Sequence, residues 1–594
     1  MTNNNLVRKG DYIPLVLTDF EKTPRDREFP DIGADEFIRD STDLEVFRFP
    51  NNYVPRVGSN LLRVLLKNDG LNPINNRIVS LAYSINGGVF TPYRQVALTS
   101  LASPYSTQEV VFNADPWIVP SAGAYFVCVK INPLERIYED SYTANEIFCD
   151  SLKVGLGGVY TIGGVAPDFV NVISAVSILN NVGIGAPVTF NIRPGTYTGQ
   201  VTINKIKGSS TVNTVTFKSE FNNAGATIIT ASGSGANFHT IRLNAAENII
   251  FKDLSVINTS TTIGSAIHLT NKTQNILISD CNITVNDLTA LNEKIIGIVA
   301  SGATITPFFL NVPGENANNI TIRNNTIRGG YAGIQITGNT INQKTKGFII
   351  ENNNIDSAFF FGINTQFNNS RAINKNRITL KSNSSVSGVG INISYLIDSA
   401  SISGNYIRNS GLYGINLTNA EGSGKSILVS NNMIAGGFKT QIAPASGAGI
   451  YFIDVNKVDL YSNSIVFNQP IGAAFFIATA ANLNSKNNIF SSIGGAYAFY
   501  NNSPDAIVNG DNNNFFNNAT IPLAFFKGNK PNLDSLKSET KQEAKSISID
   551  PLFASNIDLH TLNPGLDSKG DTLNTVLVDY DGEKRNPRNP DIGA

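Results

Sequence analysis

Few residues in this chain are of the types that perform acid–base or metal chemistry. Its 594 residues include three histidines, of which His239 and His268 lie 29 residues apart (268 − 239). If that distance is one structural repeat, the two imidazoles stack, and stacked imidazoles can hold a metal ion or supply a general base. Histidines in surface turns explain the same spacing, and we favour that interpretation.

The acidic residues of the repeating region are isolated from one another, at Asp253, Asp280, Asp287, Glu315, Glu351, Asp356, Asp398 and Asp454. Glycoside hydrolysis needs two facing carboxylates, and elimination from a uronic acid needs a cation or basic cluster beside a base. Arg371, Lys375 and Arg377 form only a small basic patch, which a solvated surface explains. Because the acids do not recur at every repeat, a stacked Ca²⁺ site is unsupported. We therefore expect no catalytic residue, no metal and no cofactor.

Two phenylalanine runs, at residues 359–361 and 475–476, are the other candidates for function. Alternate side chains of a strand point to opposite faces, so about half of these rings must belong to a core. An outward ring is able to stack on carbohydrate or on a neighbouring module. We take Phe360 and Phe475 as the candidates for such a ligand surface.

One short phrase, Asn-x-Ile or a near variant, recurs through the part of the chain that contains these candidates. The structural repeat that it marks must therefore position their side chains. Its asparagines are Asn325, Asn353, Asn376, Asn405, Asn432, Asn463, Asn487 and Asn513, and Cys281 holds the same place one repeat upstream as a buried small side chain. The first and last asparagine are 188 residues apart (513 − 325) over seven steps, a mean period of about 27 residues that is typical of a solenoid. The β-branched segments between the phrases are too short for helices. Each period predicts one coil of two or three short strands.

Stacking such coils in parallel buries a continuous core, and asparagine suits the corner of each coil. Asparagine tolerates the left-handed backbone of a sharp turn, and its amide can donate and accept along the stack. A Gly-Ile pair opens another strand after most copies, at Gly333-Ile334, Gly362-Ile363, Gly390-Ile391, Gly414-Ile415 and Gly449-Ile450. This ladder resembles those of right-handed parallel β-helix proteins, the pectate-lyase-like superfold. The resemblance implies an all-β solenoid over residues 187–530 and brings polysaccharide lyases and hydrolases into consideration, yet their Gly-His-Gly and Asp-Asp motifs do not occur within the coils.

The N-terminal part follows a different pattern, with longer alternating strands at residues 44–47, 61–66, 78–83, 109–112, 123–131 and 146–154. About seven strands in this length predict an Ig-like β-sandwich. Residues 64–70 and 123–129, with Glu139-Asp140 ahead of Asn145-Glu146, resemble the CARDB group of Ig-like modules found in bacterial surface proteins. Cys128 and Cys149 lie on two strands that can pair across a hairpin, so a disulfide and two free thiols both remain open.

The chain carries one closing phrase twice. Residues 19–34 read DFEKTPRDREFPDIGA and residues 579–594 read DYDGEKRNPRNPDIGA, at a constant offset of 560 (579 − 19). We expect a tandem array with this repeat, which divides the chain into the tail of a preceding unit (1–37), the sandwich (38–155), a linker and capping helix (156–186), the β-helix (187–530) and a C-terminal cap with the closing Asp-Ile-Gly-Ala segment (531–594). Asp168 is the predicted N-cap of a helix at residues 169–179.

The composition gives no indication of binding to nucleic acid or of insertion into a membrane. The net charge is −1 and only 15% of residues are charged, which gives no electrostatic footprint for nucleic acid or an anionic membrane. No apolar run reaches the roughly 18 residues of a membrane span, and in an array a signal peptide and anchor would lie outside this stretch.

We expect an extracellular structural or adhesive repeat segment of a very large cell-surface protein, without catalysis, similar to the giant surface adhesins and secreted β-helix proteins of Bacteroidota. Its partners would be neighbouring repeat units, and surface glycans or other cells. The alternatives are a secreted β-helix lyase or hydrolase, a carbohydrate-binding module, and a spacer without a ligand.

Overall fold

The structure is a computed structural model that describes residues 10–11, 13–20, 22, 24–25, 30, 32–33, 42–51, 53–121, 123–134, 140, 143–303, 312–339, 345–382, 386–439, 446–519 and 521–594, without the side chains of Thr345, Ser370 and Arg371. Arg371 of the predicted basic patch and Glu139 of the CARDB-like signature therefore lie outside what it describes. The chain forms two compact units. The first is Met1–Gly158 with Asn181–Val188 and Lys207–Ser209, and the second is Val159–Asn180, Thr189–Ile206 and Ser210–Ala594.

The first unit contains the expected β-sandwich. One antiparallel sheet consists of Leu44–Arg48, Arg63–Asn68 and Thr107–Val111, the other of Arg94–Leu98, Arg77–Ile85, Gly123–Ile131 and Ile147–Val154, and Gly58–Asn60 pairs with Trp117–Val119. Alternate residues of both sheets, such as Val64, Leu81 and Val129, share one buried core. Trp117 is buried there and meets Tyr125 edge to face, so it is a core residue. A short 3₁₀ turn lies at Thr143–Asn145.

The two sandwich cysteines form a disulfide. Cys128 and Cys149 stand directly opposite each other in the register of two paired antiparallel strands, with Cα atoms 4.1 Å apart. Of the two possibilities that the sequence left open, the disulfide is therefore the one that forms, because neighbouring strands bring the two Sγ atoms within bonding distance. Among the cysteines only Cys281 is free, and it is buried as expected.

The capping helix is present, but its first residues differ from the prediction. The helix spans Val172–Val182, and the Asn171 side chain accepts a hydrogen bond from the Ser174 N–H at 2.9 Å. The prediction of Asp168 as the N-cap is therefore wrong. The Asp168 carboxylate instead accepts from the Thr161 N–H at 2.7 Å and from its hydroxyl at 2.8 Å, and these bonds hold a turn ahead of the helix.

The second unit is a parallel β-helix whose coils contribute strands to three sheets in turn. The first sheet consists of Val201–Ile203, His239–Asn244, Gly264–Thr270, Ile295–Ala300, Ala332–Thr337, Phe361–Gln366, Val389–Ser394, Tyr413–Glu421, the first part of Gly447–Tyr461, Gly472–Ile477, Tyr497–Asn501 and Ala524–Phe526. The second consists of Val215–Ser219, Glu247–Lys252, Thr273–Ser279, Ala317–Arg323, Thr345–Glu351, Asn368–Asn374, Ser401–Ser403, Ile427–Ser430, the later part of Gly447–Tyr461, Ala480–Lys486 and Ile507–Asp511. The third consists of Gly195–Thr198, Thr227–Ala231, Ser255–Asn258, Asn282–Thr284, Thr326–Arg328, Asn354–Ala358, Arg377–Leu380, Tyr406–Arg408, Met433–Ile434, Ser464–Phe467, Ile489–Ser492 and Asn514–Asn517.

Smaller elements frame these sheets. Strands Leu156–Ile162 and Ile184–Ile192 precede the first sheet, Asn529–Lys530 closes it in antiparallel fashion, and a 3₁₀ turn lies at Ala224–Ala226. The C-terminal cap holds a helix at Leu533–Thr540 and a 3₁₀ turn at Pro564–Leu566. None of the helices within the described part of the chain is both long and apolar enough to cross a membrane.

Identical side chains stack from coil to coil to form the core of the β-helix. In the third sheet Ile327, Ile355, Ile378, Ile407 and Ile434 follow one another in register, and none is exposed. Parallel registration places each residue above its equivalent in the preceding coil, as the repeat predicts. The Gly-Ile pairs open first-sheet strands, with the isoleucines inward.

The asparagine ladder is confirmed and runs along the corner before the third sheet. Each ladder Oδ1 accepts two hydrogen bonds from the preceding ladder residue, from its Nδ2 at 2.9–3.0 Å and from its backbone N–H at 3.0–3.1 Å. Each Nδ2 also donates to a second-sheet carbonyl, as Asn405 does to Ile373. The ladder begins at Cys281, whose N–H donates to Asn325 Oδ1. Every amide of the stack is thus paired in a buried corner.

The prediction of Asn487 as a ladder member is wrong by one residue. Asn488 is the member, because its Oδ1 accepts from Asn463 and its Nδ2 donates to Asn513 at 3.0 Å. Asn487 has a φ of 60° and is the left-handed residue that precedes the ladder position. The same conformation precedes the other ladder positions, at Asp280, Asn324, Asn352, Lys375, Gly404, Asn431, Ser462 and Asn512. The turn and the ladder bonds therefore fall on two consecutive residues rather than on one.

A buried glutamate ends the ladder. Asn513 Nδ2 donates to Glu543 Oε2 at 3.0 Å, the Ser546 hydroxyl donates to the same carboxyl, and the Asn513 N–H donates to Ser546 Oγ at 2.8 Å. Burial raises the pKa of Glu543 to about 7, against the lowering effect of these hydrogen bonds. The sequence carried no signal for this residue, because the cap segment that holds it lies outside the repeat.

Glu543 should make the stability of the β-helix depend on pH. Its folded-state pKa lies above its ordinary value, so its stabilising contribution is complete below about pH 4.5 and is lost as the pH rises through about 7. We expect Glu543→Gln to be more stable than the parent at pH 8 by on the order of 2 kcal/mol and to flatten the decline between pH 5 and pH 8. Denaturant unfolding at several pH values measures this, with the exposed Glu539→Gln as the control. Parallel pH profiles for the parent and Glu543→Gln would contradict it.

Candidate binding face

One row of side chains crosses the first sheet from coil to coil, on the side opposite the core. Its members follow one another in register as Thr202, Arg242, His268, Val299, Gln335, Asn364, Asn392, Asn416, Tyr451, Phe476, Tyr500 and Phe525. Inward residues flank each member, as Ile391 and Ile393 flank Asn392. We call this set the first-sheet row. Its chemistry changes along the axis from basic to amide to aromatic.

The row begins with the two histidines that the sequence singled out, and both are engaged in the fold. His268 Nδ1 accepts from Arg242 Nε at 3.2 Å, so its Nε2 carries the hydrogen and donates to the Ser301 carbonyl at 3.1 Å. Burial, aided by the Arg242 guanidinium, lowers the pKa of His268 to about 3. His239 lies beside the row, bonds Thr202 Oγ1 at 3.1 Å, and has its pKa lowered to about 3 by burial. Both imidazoles are neutral near pH 7.

A small apolar cluster covers this part of the row. Phe238, Ile263 and Ala303 pack with Val299, and the Phe238 ring lies 5.0 Å from that of His268. His239 and His268 are almost fully buried as a result. The spacing correctly placed the two histidines on consecutive coils, whereas the favoured interpretation of surface histidines is wrong, because loops cover this end of the sheet.

The middle of the row is a second set of hydrogen-bonded amides. Asn416 Nδ2 donates to Asn392 Oδ1 at 2.7 Å, and Asn392 Nδ2 donates to Asn364 Oδ1 at 2.8 Å. Gln335 and Asn364 are buried, and exposure increases towards Asn416, which is half-buried. Solvent therefore reaches the row from Asn416 onward. The amides satisfy one another along the axis, as those of the ladder do.

The end of the row is a column of stacked aromatic rings. Phe476 and Tyr500 lie 4.4 Å apart at 14°, Tyr500 and Phe525 lie 4.4 Å apart at 9°, and Tyr451 lies 5.2 Å from Phe476. Tyr413 joins the column 4.4 Å from Tyr451. All five rings are half-buried. Because the rings stack on one another, they turn edges and hydroxyl groups rather than faces to solvent.

Two tyrosines of the column have a raised pKa. Burial is the main cause that raises the pKa of Tyr413 and of Tyr451 above the ordinary value, and a neighbouring acid, Asp454, adds to it at Tyr451. Tyr413 and Tyr451 therefore offer neutral O–H donors on this apolar strip. We name Tyr413, Tyr451, Phe476, Tyr500 and Phe525 the aromatic column.

The two predicted ligand-surface phenylalanines have different positions. Phe475 is only 1% exposed and stacks on Phe490 in the core, so its selection as a surface residue is wrong. Alternate side chains of this strand do point to opposite faces, but the outward ring of Phe475 and Phe476 is that of Phe476. Phe360 is half-buried and stacks on Tyr331 at 5.0 Å, apart from the aromatic column. From Tyr451 onward an aromatic residue at each outward first-sheet position was the sequence signal for the column.

The charged candidates lie apart from one another, Asp280 and Lys375 at corners and Asp356 and Arg377 on third-sheet strands. Asp280 accepts from Asn324 Nδ2 at 3.2 Å, and Asp356 pairs with Arg328 at 3.3 Å. Lys375 is a left-handed corner residue, and the Arg377 guanidinium lies 4.3 Å from the centre of the Tyr406 ring. Within the described ranges no group of three histidines, cysteines and carboxylates is placed to hold a metal ion.

Fold and face together define an all-β protein that combines a β-sandwich with a parallel β-helix, whose solvent-facing row ends in stacked rings. No protein-family model matches the chain, and no curated protein matches it. Among solved structures, the chain is similar to the Streptococcus pneumoniae surface protein and adhesin PfbA, with 13% identity over 65% of this chain and 98% of that chain and a TM-score of 0.34.

Two further similarities are to an enzyme and to a sandwich domain. The periplasmic alginate epimerase AlgG matches with 12% identity over 64% of this chain and 82% of its own, at a TM-score of 0.33. A CARDB domain from Pyrococcus furiosus, solved with two metal ions, matches with 19% identity over 20% of this chain and 96% of its own, at a TM-score of 0.15. We take no argument about activity from these likenesses.

Proposed function

We propose that the chain is an extracellular adhesive repeat segment of a larger cell-surface protein and that it binds without catalysis. The observation that carries the proposal is the first-sheet row. Its amides are bonded to one another, its imidazoles are neutral and covered, and its solvent-facing end is the aromatic column. Such a strip offers a long contact surface and no poised acid–base pair.

Two other features support the setting. The Cys128–Cys149 disulfide fits an oxidising compartment outside the cytosol. The closing phrase that the chain carries twice at an offset of 560 residues (579 − 19) supports a tandem array. Neighbouring repeat units of the same polypeptide are then its permanent partners, and the resemblance to giant adhesins of Bacteroidota belongs to this proposal.

The aromatic column suggests what the segment binds. Ring edges and the hydroxyl groups of Tyr413, Tyr451 and Tyr500 line a half-buried apolar strip. Sugar rings present both C–H groups and oxygen acceptors, and a chain of sugars laid along the coils would meet one ring edge per coil, about every 4.8 Å. We therefore favour a surface polysaccharide as the ligand.

The ligand is tested on a glycan array with the tyrosine hydroxyl groups removed. We expect the parent to bind one or more polysaccharides and Tyr451→Phe/Tyr500→Phe to bind them at least about tenfold more weakly, which corresponds to about 1.4 kcal/mol. The substitutions keep the ring stack, so Tm should not change. Tyr395→Phe is the matched control, because Tyr395 also stacks on a ring, that of Phe367, at 4.5 Å. Equal binding by all three proteins would contradict a role for the column.

A lyase or hydrolase that uses the same face is the second candidate. Its support is the cluster of Arg242, His239 and His268 at the start of the first-sheet row. A screen of acidic and neutral polysaccharides for new reducing ends or unsaturated products separates the two. If the parent turns over a polysaccharide and Arg242→Ala does not, the enzyme hypothesis replaces the adhesive one. If the chain shows neither binding nor turnover, it is a spacer.

A further inference from the structure

The described residues of the two copies of the closing phrase make the same local contacts. We call residues 10–33 the leading strap and residues 570–594 the closing strap. Gly10 N–H donates to the Pro30 carbonyl at 2.8 Å, and Gly570 N–H donates to that of Pro590 at 2.7 Å. Each strap also carries an isolated antiparallel bridge, Thr18 with Pro24 in the first and its equivalent in the second.

One arginine fastens each strap internally. Arg25 donates through its terminal guanidinium nitrogen to the Gly33 carbonyl at 2.7 Å, and Arg585 donates to the Gly593 carbonyl at 2.8 Å. The backbone N–H groups of both arginines donate at 3.0 Å to the carbonyl eight residues earlier, at Leu17 and Leu577. The described residues of the leading strap therefore repeat the internal contacts of the closing strap.

The closing strap is docked on a flank of the β-helix. Asp571 pairs with Lys486 at 2.6 Å, its N–H donates to Asn487 Oδ1 at 2.7 Å, and its carbonyl accepts from Asn487 Nδ2 at 2.8 Å. The Lys486 ammonium holds the pKa of the Asp571 carboxyl below its ordinary value. The Gly593 N–H donates to the Asn487 carbonyl at 2.8 Å, so both ends of the strap meet one corner of a coil.

Residues of other coils also bind the closing strap. Arg585 donates to Asn431 Oδ1 at 2.9 Å, Asn431 Nδ2 donates to the Val578 carbonyl at 2.7 Å, and the Ala594 N–H donates to Ser464 Oγ at 2.9 Å. Several receiving groups are the left-handed corner residues themselves, which leave their side chains free for this purpose. Asn512 Nδ2 also donates to the carbonyl of Lys569, just before the strap. We call Asn431, Ser464, Lys486, Asn487 and Asn512 the strap groove.

Three residues of the closing strap have exposed equivalents in the leading strap. Ile592 is 2% exposed in the docked strap, and its equivalent Ile32 is 46% exposed. Val576 is 5% exposed, and Val16 is 43% exposed. Asp11, the equivalent of the Asp571 that pairs with Lys486, is exposed as well. The leading strap thus presents a preformed apolar and polar surface of the kind that its copy buries.

We propose that the leading strap docks on the strap groove of a second β-helix of this type, which in the array is that of the preceding unit. The proposal rests on the tandem arrangement within the proposed function. In the docked state Asp11 pairs with the lysine equivalent to Lys486, Arg25 bridges the Gly33 carbonyl and the corner asparagine equivalent to Asn431, and Ile32 enters the site that Ile592 fills in this chain. The strap then fastens the sandwich of one unit to the β-helix of the unit before it.

A strap exchange within the full chain tests the fit. Residues 569–594 are replaced by residues 9–34 of the same chain, so the leading strap is offered to this chain's own groove. We expect a Tm within about 3 °C of the parent, whereas Ile592→Asp, which releases the closing strap, lowers Tm by about 5 °C or more. Trypsin cleavage after the strap arginine should be at least tenfold slower in the exchanged chain than in Ile592→Asp. An exchanged chain that melts and is cleaved like Ile592→Asp overturns the proposal.

Self-association supplies a second test that does not depend on the exchanged chain. In the full chain with Asp571→Lys and Ile592→Asp the groove is empty, and the leading strap of another molecule can enter it. We expect concentration-dependent head-to-tail oligomers by light scattering, and monomers when Ile32→Asp is added. A monomer with an empty groove and an intact leading strap overturns the proposal. Glycan binding is measured on the parent chain, so a failure of either idea is distinguishable from a failure of the other.

Discussion

Replacing Asn405 with leucine will lower the free energy of unfolding of the β-helix by about 3 kcal/mol. Asn405 is fully buried and lies in the middle of the ladder. Its Oδ1 accepts from the Asn376 N–H and Nδ2, each at 3.0 Å, and its Nδ2 donates to Asn432 Oδ1 at 2.9 Å and to the Ile373 carbonyl at 2.7 Å. Leucine has a similar volume but can form none of these bonds.

The cost arises in the neighbouring coils as much as at the mutated one. Without the Asn405 amide, the Asn376 N–H loses its acceptor and the Ile373 carbonyl loses the hydrogen bond from Asn405 Nδ2, in a buried corner. Each unpaired buried group costs about 1–3 kcal/mol, and part of that is recovered by the apolar contacts of leucine.

Denaturant unfolding of the second unit measures the effect. The matched control is Asn354→Leu, an exposed third-sheet position two coils earlier, where the same substitution should change the free energy of unfolding by less than about 0.5 kcal/mol. Equal stability of Asn405→Leu and Asn354→Leu would mean that the ladder amides contribute nothing net.

Replacing Gly390 with alanine will destabilise the β-helix by on the order of 3 kcal/mol, although it adds only one methyl group. A Cβ at this buried position would lie 2.6 Å from the Gly414 carbonyl oxygen of the next coil and would collide with Cγ2 of Ile407. One of these neighbours is backbone held in a parallel sheet, so it cannot move without breaking the register.

Five glycines of the first sheet have the same neighbour. Gly333, Gly362, Gly390, Gly414 and Gly449 each face an isoleucine Cγ2 of the third sheet. The next two first-sheet positions in register are alanines, Ala474 and Ala498, and the third-sheet residues of those coils are Phe490 and Phe515, which have no Cγ2. In these five coils the β-branched methyl group occupies the space that a Cβ would need, whereas the strand that carries Ala266 accommodates a Cβ although the third-sheet residue of its coil is an isoleucine, Ile283.

A double-mutant cycle tests this explanation. Ile407→Leu removes Cγ2, so Gly390→Ala/Ile407→Leu should be more stable than the sum of the single changes by about 1 kcal/mol or more. Gly225→Ala is the control, because its nearest atom would be 3.4 Å from the new Cβ and little loss is expected there. Additive single changes would locate the clash wholly at the Gly414 carbonyl.

Much of the architecture was predictable, because it depends on features that each coil repeats. The 27-residue mean period, the inward isoleucines and the Gly-Ile pairs indicated a β-helix with an asparagine ladder, and the alternating strands of the N-terminal part indicated a sandwich. Residue type and spacing suffice for this, since a parallel stack places equivalent residues above one another. Non-repeating parts, such as Glu543 at the end of the ladder, gave no such signal.

The candidate face was predicted less well. The alternation rule required one ring of the adjacent pair Phe475 and Phe476 to point inward. It did not say which of the two rings that was. The histidines were placed on consecutive coils by their spacing, yet their burial depends on Phe238 and Ile263, which come from loops outside the repeat. Which side chains meet solvent is decided by such loops rather than by the coil pattern.

What the sequence alone determined is therefore the repeat, the class of fold and the existence of two straps, because these follow from local periodicity and from identity of phrases. Only the tertiary structure decided that Asn488 rather than Asn487 joins the ladder, that Cys128 bonds Cys149, and that one strap is covered while its copy is not. The physical reason is the same in each case. A hydrogen bond, a disulfide or a buried isoleucine requires a partner that lies far away in the chain, and the sequence does not state which partner is within reach.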